Sequence, residues 1–199
     1  MEIHQARYLK SAETLDQCPP HALHEICFIG RSNVGKSSLI NALTRHPRLA
    51  KTSSTPGKTR LFNFFTINED QWCLVDLPGY GYAKVSQEQR RDWTEKMHQF
   101  LLERQQLALI VLLVDARHEP MELDLDMAYW LAEHERQFIV ALTKADKLSK
   151  NAQQLSLRKF RKALAEMNIE TDVILTSATQ GSGLSALTTW IAEVITAPI

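Results

Sequence analysis

Little in the chain marks a compartment or a partner directly, and each absence narrows its class. Lys and Arg number 23 and Asp and Glu 23, so no net charge draws the whole molecule toward nucleic acid or an anionic membrane. A polyanion would have to be met by local patches. The three cysteines, Cys18, Cys27 and Cys73, form no C-x-x-C pair. Cys27 and Cys73 sit in apolar strand-like runs, where a thiol is usually a small core residue, so a disulfide scaffold is excluded and a reducing cytoplasm is expected. No run approaches the ~20 apolar residues of a membrane span, and Met1 to Lys10 lacks the apolar core of a signal peptide. Neither membrane insertion nor export by such a signal is expected. No G-x-G-x-x-G follows a strand, which argues against a dinucleotide-binding oxidoreductase, and no internal repeat or low-complexity tract interrupts residues 25–199.

What is present suits one globular domain: 44% hydrophobic and 23% charged residues in 199. One stretch organises it. Gly30-Arg31-Ser32-Asn33-Val34-Gly35-Lys36-Ser37 lies between the apolar run Ile26 to Ile29 and the helix-like run Ser38 to Leu43. This is the G-x-x-x-x-G-K-[ST] phosphate loop with a strand before it and a helix after it. Its backbone N–H groups and the helix dipole aim at an anion, Lys36 carries a mobile charge to the outer phosphates, and Ser37 offers a hydroxyl to Mg2+.

Residues 1–24 read as an arm or edge element packed on the domain, and residues 25–199 as the nucleotide-binding domain. His21 and His24 lack further ligands at a recognisable spacing, so no metal site is assigned to them. Arg48 to Arg60 is a long Ser-, Thr-, Pro- and Gly-containing loop beside the site. Leu61 to Ile67 and Gln71 to Asp76, joined by Asn68-Glu69-Asp70, predict an antiparallel hairpin at one edge of the sheet. Helical stripes follow at Trp93, Met97, Phe100 and Leu101, at Leu123, Met127, Trp130 and Leu131, at Leu157, Phe160, Leu164 and Met167, and at Leu184, Leu187, Trp190, Ile191 and Val194. They alternate with apolar strands at Leu107 to Val114, Phe138 to Leu142 and Val173 to Leu175. The expectation is a three-layer α/β/α fold with a mostly parallel sheet and one antiparallel edge strand.

In such a sheet ligands bind beyond the carboxyl ends of the strands, where every polar cluster found here stands. Asp76-Leu77-Pro78-Gly79 ends the hairpin, Thr143-Lys144-Ala145-Asp146 follows the penultimate strand, and Thr176-Ser177-Ala178 follows the last. Asp76 is placed to hold Mg2+ through water, and Gly79 to give a backbone N–H to a terminal phosphate. Asp146 accepts the two donors on the N1 and N2 edge of guanine, a pair that adenine lacks, which argues for GTP over ATP. The Lys144 stem lies across the base, and the Ser177-Ala178 backbone donates to the guanine carbonyl.

This set, with Thr59, resembles the five nucleotide motifs of small GTPases in their usual order. Phe28 to Ser38, Thr55-Pro56-Gly57-Lys58-Thr59, Asp76 to Ala83 and Asp115-Ala116-Arg117-His118-Glu119-Pro120, with Asp124 beyond, narrow the resemblance to the EngB (YsxC/YihA) family of ribosome-assembly GTPases. The resemblance implies the phosphate-loop GTPase fold, binding of GTP and GDP, and a role in maturation of the large ribosomal subunit, through its ribosomal RNA and proteins, with effects on division and septation. It also implies Ser37 and Thr59 as Mg2+ ligands and Gly57, Lys58, Thr59, Arg60 and Leu61 as part of the first switch. Membrane contact is not expected, and a monomer is. Thr143 stands where many GTPases carry Asn, and Ala178 where many relatives carry Ser.

Tyr80 occupies the position at which Ras-like proteins orient water with Gln, so slow unassisted hydrolysis is expected, on the order of 10⁻⁴ per second or below. Lys36, Thr59 and Gly79 are the catalytic candidates. Asn33 joins them if, as in the K+-activated GTPases it resembles, it holds a monovalent cation; the other reading is an Asn that stabilises its own loop. Loss of the terminal phosphate would release Lys51 to Arg60 and Tyr80 to Arg91. Arg117 and His118 either brace the second switch or cap their loop. Arg48, Lys51, Lys58, Arg60, Arg90, Arg91 and the cluster from Arg158 to Lys162 are either contacts for RNA phosphates or ordinary solvated charge. Two rival functions stand beside this one: a phosphate-loop enzyme acting on adenine nucleotides or a small-molecule acceptor, and an RNA-assembly protein that binds nucleotide only structurally.

Overall fold

The structure, a computed structural model, describes residues 1–50, 61–81 and 86–196. The strands are β1 (Ala6–Ala12), β2 (Glu25–Gly30), β3 (Phe62–Ile67), β4 (Trp72–Asp76), β5 (Leu107–Asp115), β6 (Phe138–Thr143) and β7 (Val173–Leu175). The helices are α1 (Lys36–Thr44), α2 (Gln87–Glu103), α3 (Glu122–Glu133), α4 (Lys150–Glu166) and α5 (Leu184–Ile195).

Across the sheet the order is β1-β3-β4-β2-β5-β6-β7. From β4 to β7 all pairings are parallel, whereas β3 is antiparallel to both β4 and β1. The predicted hairpin is present, but it does not end the sheet. The arm supplies the outermost strand, with Ala6 opposite Ile67 and Ala12 opposite Phe62. Periodicity did not reveal β1, because only Ala6 and Ala12 at its two ends are buried.

Parallel strands buried on both faces read as continuous apolar runs, and their residues part alternately into two cores. Cys27 and Ile29 face one way, with Trp93, Met97 and Phe100 of α2, Met127 and Leu131 of α3, and Phe160 and Leu164 of α4. Ile26 and Phe28 face the other, with Leu39, Ile40 and Leu43 of α1 and Leu187, Ile191 and Val194 of α5. Among the described residues no helix is long and apolar enough to cross a membrane.

At the amino edge of the sheet a buried ion pair fastens the arm. Glu25 is fully buried, and Arg104, just after α2, forks onto it with Nη2–Oε1 at 2.7 Å and Nε–Oε2 at 3.0 Å while donating to the Pro19 carbonyl at 2.8 Å. Burial raises the Glu25 pKa, and the guanidinium opposes that shift. Removing one partner leaves an unpaired buried charge. Arg104→Leu should therefore cost about 3–4 kcal/mol while Glu25 is ionised and less at acidic pH, once Glu25 takes up a proton. The double change Glu25→Leu/Arg104→Leu should recover most of the loss, as read by urea denaturation.

Candidate functional site

β2 sits where the strand order turns, flanked by β4 and β5, and the phosphate loop leaves its carboxyl end. Gly35 caps α1 with φ +104°, a left-handed conformation that disfavours side chains. A Cβ there would also touch the Lys144 stem, at 3.4 Å from Cε. Val34 is buried beneath the loop, and Asn33 takes φ +65° with its residue exposed. Lys36 Nζ bonds the Asp76 carboxylate, and both side chains are about nine-tenths buried. Asp76 ends β4 in register with Phe28.

Beyond Asp76 the chain is stitched to the phosphate loop. Leu77 N–H donates to Phe28 O at 3.2 Å, Tyr80 N–H to Gly30 O at 3.1 Å, and Ser32 N–H to Tyr80 O at 3.0 Å. Gly79 lies so close that a Cβ would fall 2.9 Å from Ser32 N and 3.1 Å from Gly30 O. No other residue fits there without moving the loop.

The other end of the site is tied to the same loop. Thr143 Oγ1 donates to the Val34 carbonyl at 2.6 Å and lies 3.2 Å from the Val114 carbonyl. Lys144 Nζ bonds Asn33 O at 2.6 Å and Asp115 Oδ2 at 2.8 Å. Burial works against the Asp115 charge, yet the Arg117 guanidinium and the Lys144 ammonium hold its carboxyl well below the usual range. Ala145 is buried and donates its N–H to Thr176 O at 3.1 Å, which brings Asp146 beside Ser177. Ser177 Oγ donates to Asp146 Oδ1 at 2.7 Å, which lowers the Asp146 pKa and keeps it an acceptor at neutral pH. Ser177 N–H is itself taken by Ser182 O at 3.0 Å.

The structure thus brings Gly30, Ser32, Asn33, Gly35, Lys36, Asp76, Gly79, Thr143, Lys144, Asp146 and Ser177 to one edge of the sheet. Gly57, Lys58, Thr59 and Arg60 lie outside the described residues; Leu61 is half-buried just before β3. Arg117 folds back on Asp115, with Nε–Oδ1 at 2.9 Å and Nη2–Oδ2 at 2.8 Å, so its described partner lies in its own loop rather than in the second switch. Part of the basic face on α4 is engaged within the fold: Arg161 Nη2 donates to Val173 O at 3.0 Å, and Lys159 pairs with Glu119.

Three side chains depart from expectation. Leu123, expected in the buried stripe of α3, is 47% exposed, while Asp124 is 2% exposed and in phase with Met127 and Leu131. Tyr80 is buried, with its hydroxyl donating to Asp124 Oδ1 at 3.0 Å. Arg31, expected only as a loop residue, reaches Met121 and lies 3.9 Å from Asp124 Oδ2. A carboxylate at helical spacing on an apolar face was the signal available in the sequence for this cluster.

Near the amino edge, His21, Glu25 and Cys73 come together with their ligand atoms within 4.8 Å, a grouping that spacing could not reveal. Glu25 is already held by Arg104. His21 Nδ1 accepts the Leu23 N–H at 3.3 Å, which places the proton of the neutral ring on Nε2, toward Glu25. The group therefore works as a fastening of the arm.

The profile of the 50S ribosome-binding GTPase family matches residues 25–144. The chain is 47% identical over 188 residues to the probable GTP-binding protein EngB of Prosthecochloris aestuarii, covering 94% of this chain and 95% of that protein. It is 45% identical over 196 residues to the protein so described from Flavobacterium psychrophilum, covering 98% and 95%. Among solved structures, a probable GTP-binding protein engB aligns with a TM-score of 0.69 at 27% identity, covering 86% of this chain and 98% of that one.

Asp124 gives a test of the site's electrostatics. Burial pushes its carboxyl up to about 6 from 3.8, with the Tyr80 hydroxyl and Arg31 opposing. Because the folded value lies above the unfolded one, the fold takes up a proton between about pH 4 and pH 6, and stability falls as pH rises through that window. Asp124→Asn should stabilise the protein by about 2 kcal/mol above pH 6, less than the full shift because the Arg31 attraction is also lost. That gain should vanish near pH 4 in urea denaturation.

Proposed function

The chain belongs to the EngB family and is a GTPase, and from this we propose that it works as a nucleotide-dependent switch in assembly of the large ribosomal subunit, in the cytoplasm, with normal division and septation depending on it. The observation that carries the reading is the pairing of two recognition ends on one loop: Lys36 and Asp76 for phosphate, and Asp146 beside Ser177 for guanine. With Ser177 N–H committed to Ser182, the donor to the guanine carbonyl is Ala178 N–H.

The donor set suits Mg2+, a hard cation that takes oxygen ligands. Ser37 at the start of α1 and Asp76 at the end of β4, the latter through water, would hold it with Thr59, and the ion would neutralise phosphate charge. Lys36 would leave Asp76 for the outer phosphates. Gly79 N–H would meet the terminal phosphate only while that phosphate is present, which makes the turn after β4 a sensor. Tyr80 points its hydroxyl into the protein, so no side chain at that position orients the attacking water, in keeping with a low unassisted rate.

The partner is the large subunit or its precursor, and the protein acts on it as a monomer. Cosedimentation with large-subunit precursors should be strong with a non-hydrolysable GTP analogue and weak with GDP or no nucleotide. Equal pelleting in all three conditions would sink the switch reading. Asn33 adds a second test, because its exposed position at the loop crest suits a K+ ligand. Hydrolysis should run at least several-fold faster in KCl than in NaCl at equal ionic strength, and Asn33→Ala should erase the difference.

A further inference from the structure

We propose that Asp124 is a positioning residue for GTP hydrolysis: through the Tyr80 hydroxyl it holds the turn that carries Gly79 against the phosphate loop. This rests on the nucleotide-switch reading above and adds a residue outside the five nucleotide motifs.

Three elements converge on this one carboxylate. Tyr80 donates its hydroxyl to Oδ1 at 3.0 Å from the turn after β4. Arg31 brings its guanidinium from the phosphate loop to 3.9 Å from Oδ2. From the end of β5 and the loop beyond it, Asp115 and His118 act on the same group with opposite sign. Asp124 itself sits in the first turn of α3, a helix anchored in the core by Met127, Ala128 and Leu131.

The backbone stitch between Tyr80 and the phosphate loop consists of two hydrogen bonds beyond the last strand pair, Tyr80 N–H to Gly30 O and Ser32 N–H to Tyr80 O. Two such bonds at the end of a ladder are individually weak. The Tyr80 side chain reinforces them, since its ring is buried and its hydroxyl ends on an ionised acceptor, which makes a stronger hydrogen bond than a neutral one. Fixing the ring fixes the backbone of its neighbour Gly79, whose N–H must meet a phosphate oxygen within a few tenths of an ångström to assist transfer.

The electrostatics favour a working role over a packing role. Arg31 is too far to neutralise the carboxylate fully, and its own Nε is buried without a hydrogen-bond partner among the described residues. An amide of the same shape would fill the space with less desolvation. The fold instead carries a half-paired charge at the joint between the phosphate loop and Gly79.

The test is single-turnover GTP hydrolysis by the full chain, comparing wild type, Asp124→Asn, Tyr80→Phe and the double variant. Each single change should slow the chemical step about tenfold with GTP affinity changed less than twofold. The double variant should be no slower than the slower single, because both act through one bond. The wild-type rate should fall as pH drops through 6, and that dependence should be absent in Asp124→Asn. Unchanged rates in either single variant would overturn the inference, as would losses that multiply in the double variant or a loss that follows a lowered melting midpoint. A wild-type chain that does not hydrolyse GTP would overturn the reading beneath it; an active wild type with equally fast variants would overturn this inference alone.

Discussion

Everything at the site depends on one constraint, that a parallel strand can be followed by another parallel strand only after the chain has crossed back over the sheet. From β4 through β5 and β6 to β7 the chain returns through α2, α3 and α4, and every segment that follows a parallel strand emerges at the same edge. The phosphate loop, the turn after Asp76, the Thr143–Asp146 segment and Ser177 meet there because of topology, though they lie as much as 147 residues apart, from Gly30 to Ser177. Side-chain chemistry then closes what topology has brought near: Lys36 to Asp76, Thr143 to Val34, and Ser177 to Asp146.

Much of this was legible in the sequence because its signals are local. The phosphate loop is a contiguous pattern, β5 and β6 are unbroken apolar runs, and α2, α4 and α5 show their stripes at helical spacing. What escaped depends on distant partners. β1 has almost no buried residues of its own and becomes a strand only because β3 offers it a ladder. Asp124 belongs to a stretch that carries the family resemblance, but its partner Tyr80, 44 residues earlier, is visible only in the fold. The grouping of His21 and Glu25 with Cys73 needs β4 to lie beside β2. Spacing cannot report a contact made by the fold.

The two ends of the sheet handle buried charge differently. At the amino edge Glu25 is met by a two-point guanidinium fork and its environment is complete. At the carboxyl edge Asp124 faces a hydroxyl and a guanidinium 3.9 Å away, and its carboxyl stays well above the ordinary value. Complete pairing suits a joint that stays shut, whereas incomplete pairing leaves an arrangement that a small input of binding energy can shift. The contrast follows the division between the edge that holds the arm and the edge that would hold the nucleotide.

The strap formed by Lys144 has a wider implication. Its stem crosses Gly35, and its ammonium ends on Asn33 O, three residues before the start of α1 in the phosphate loop, while Thr143 holds Val34 from below. On the proposed function, these contacts tie the segment that would select the base to the loop that would grip the phosphates. A substitution that retunes base preference at 143–144 would also disturb phosphate grip, so the two halves of the ligand are not independent variables. On that reading nucleobase selectivity and overall affinity would be coupled, and an altered specificity would have to rebuild both at once.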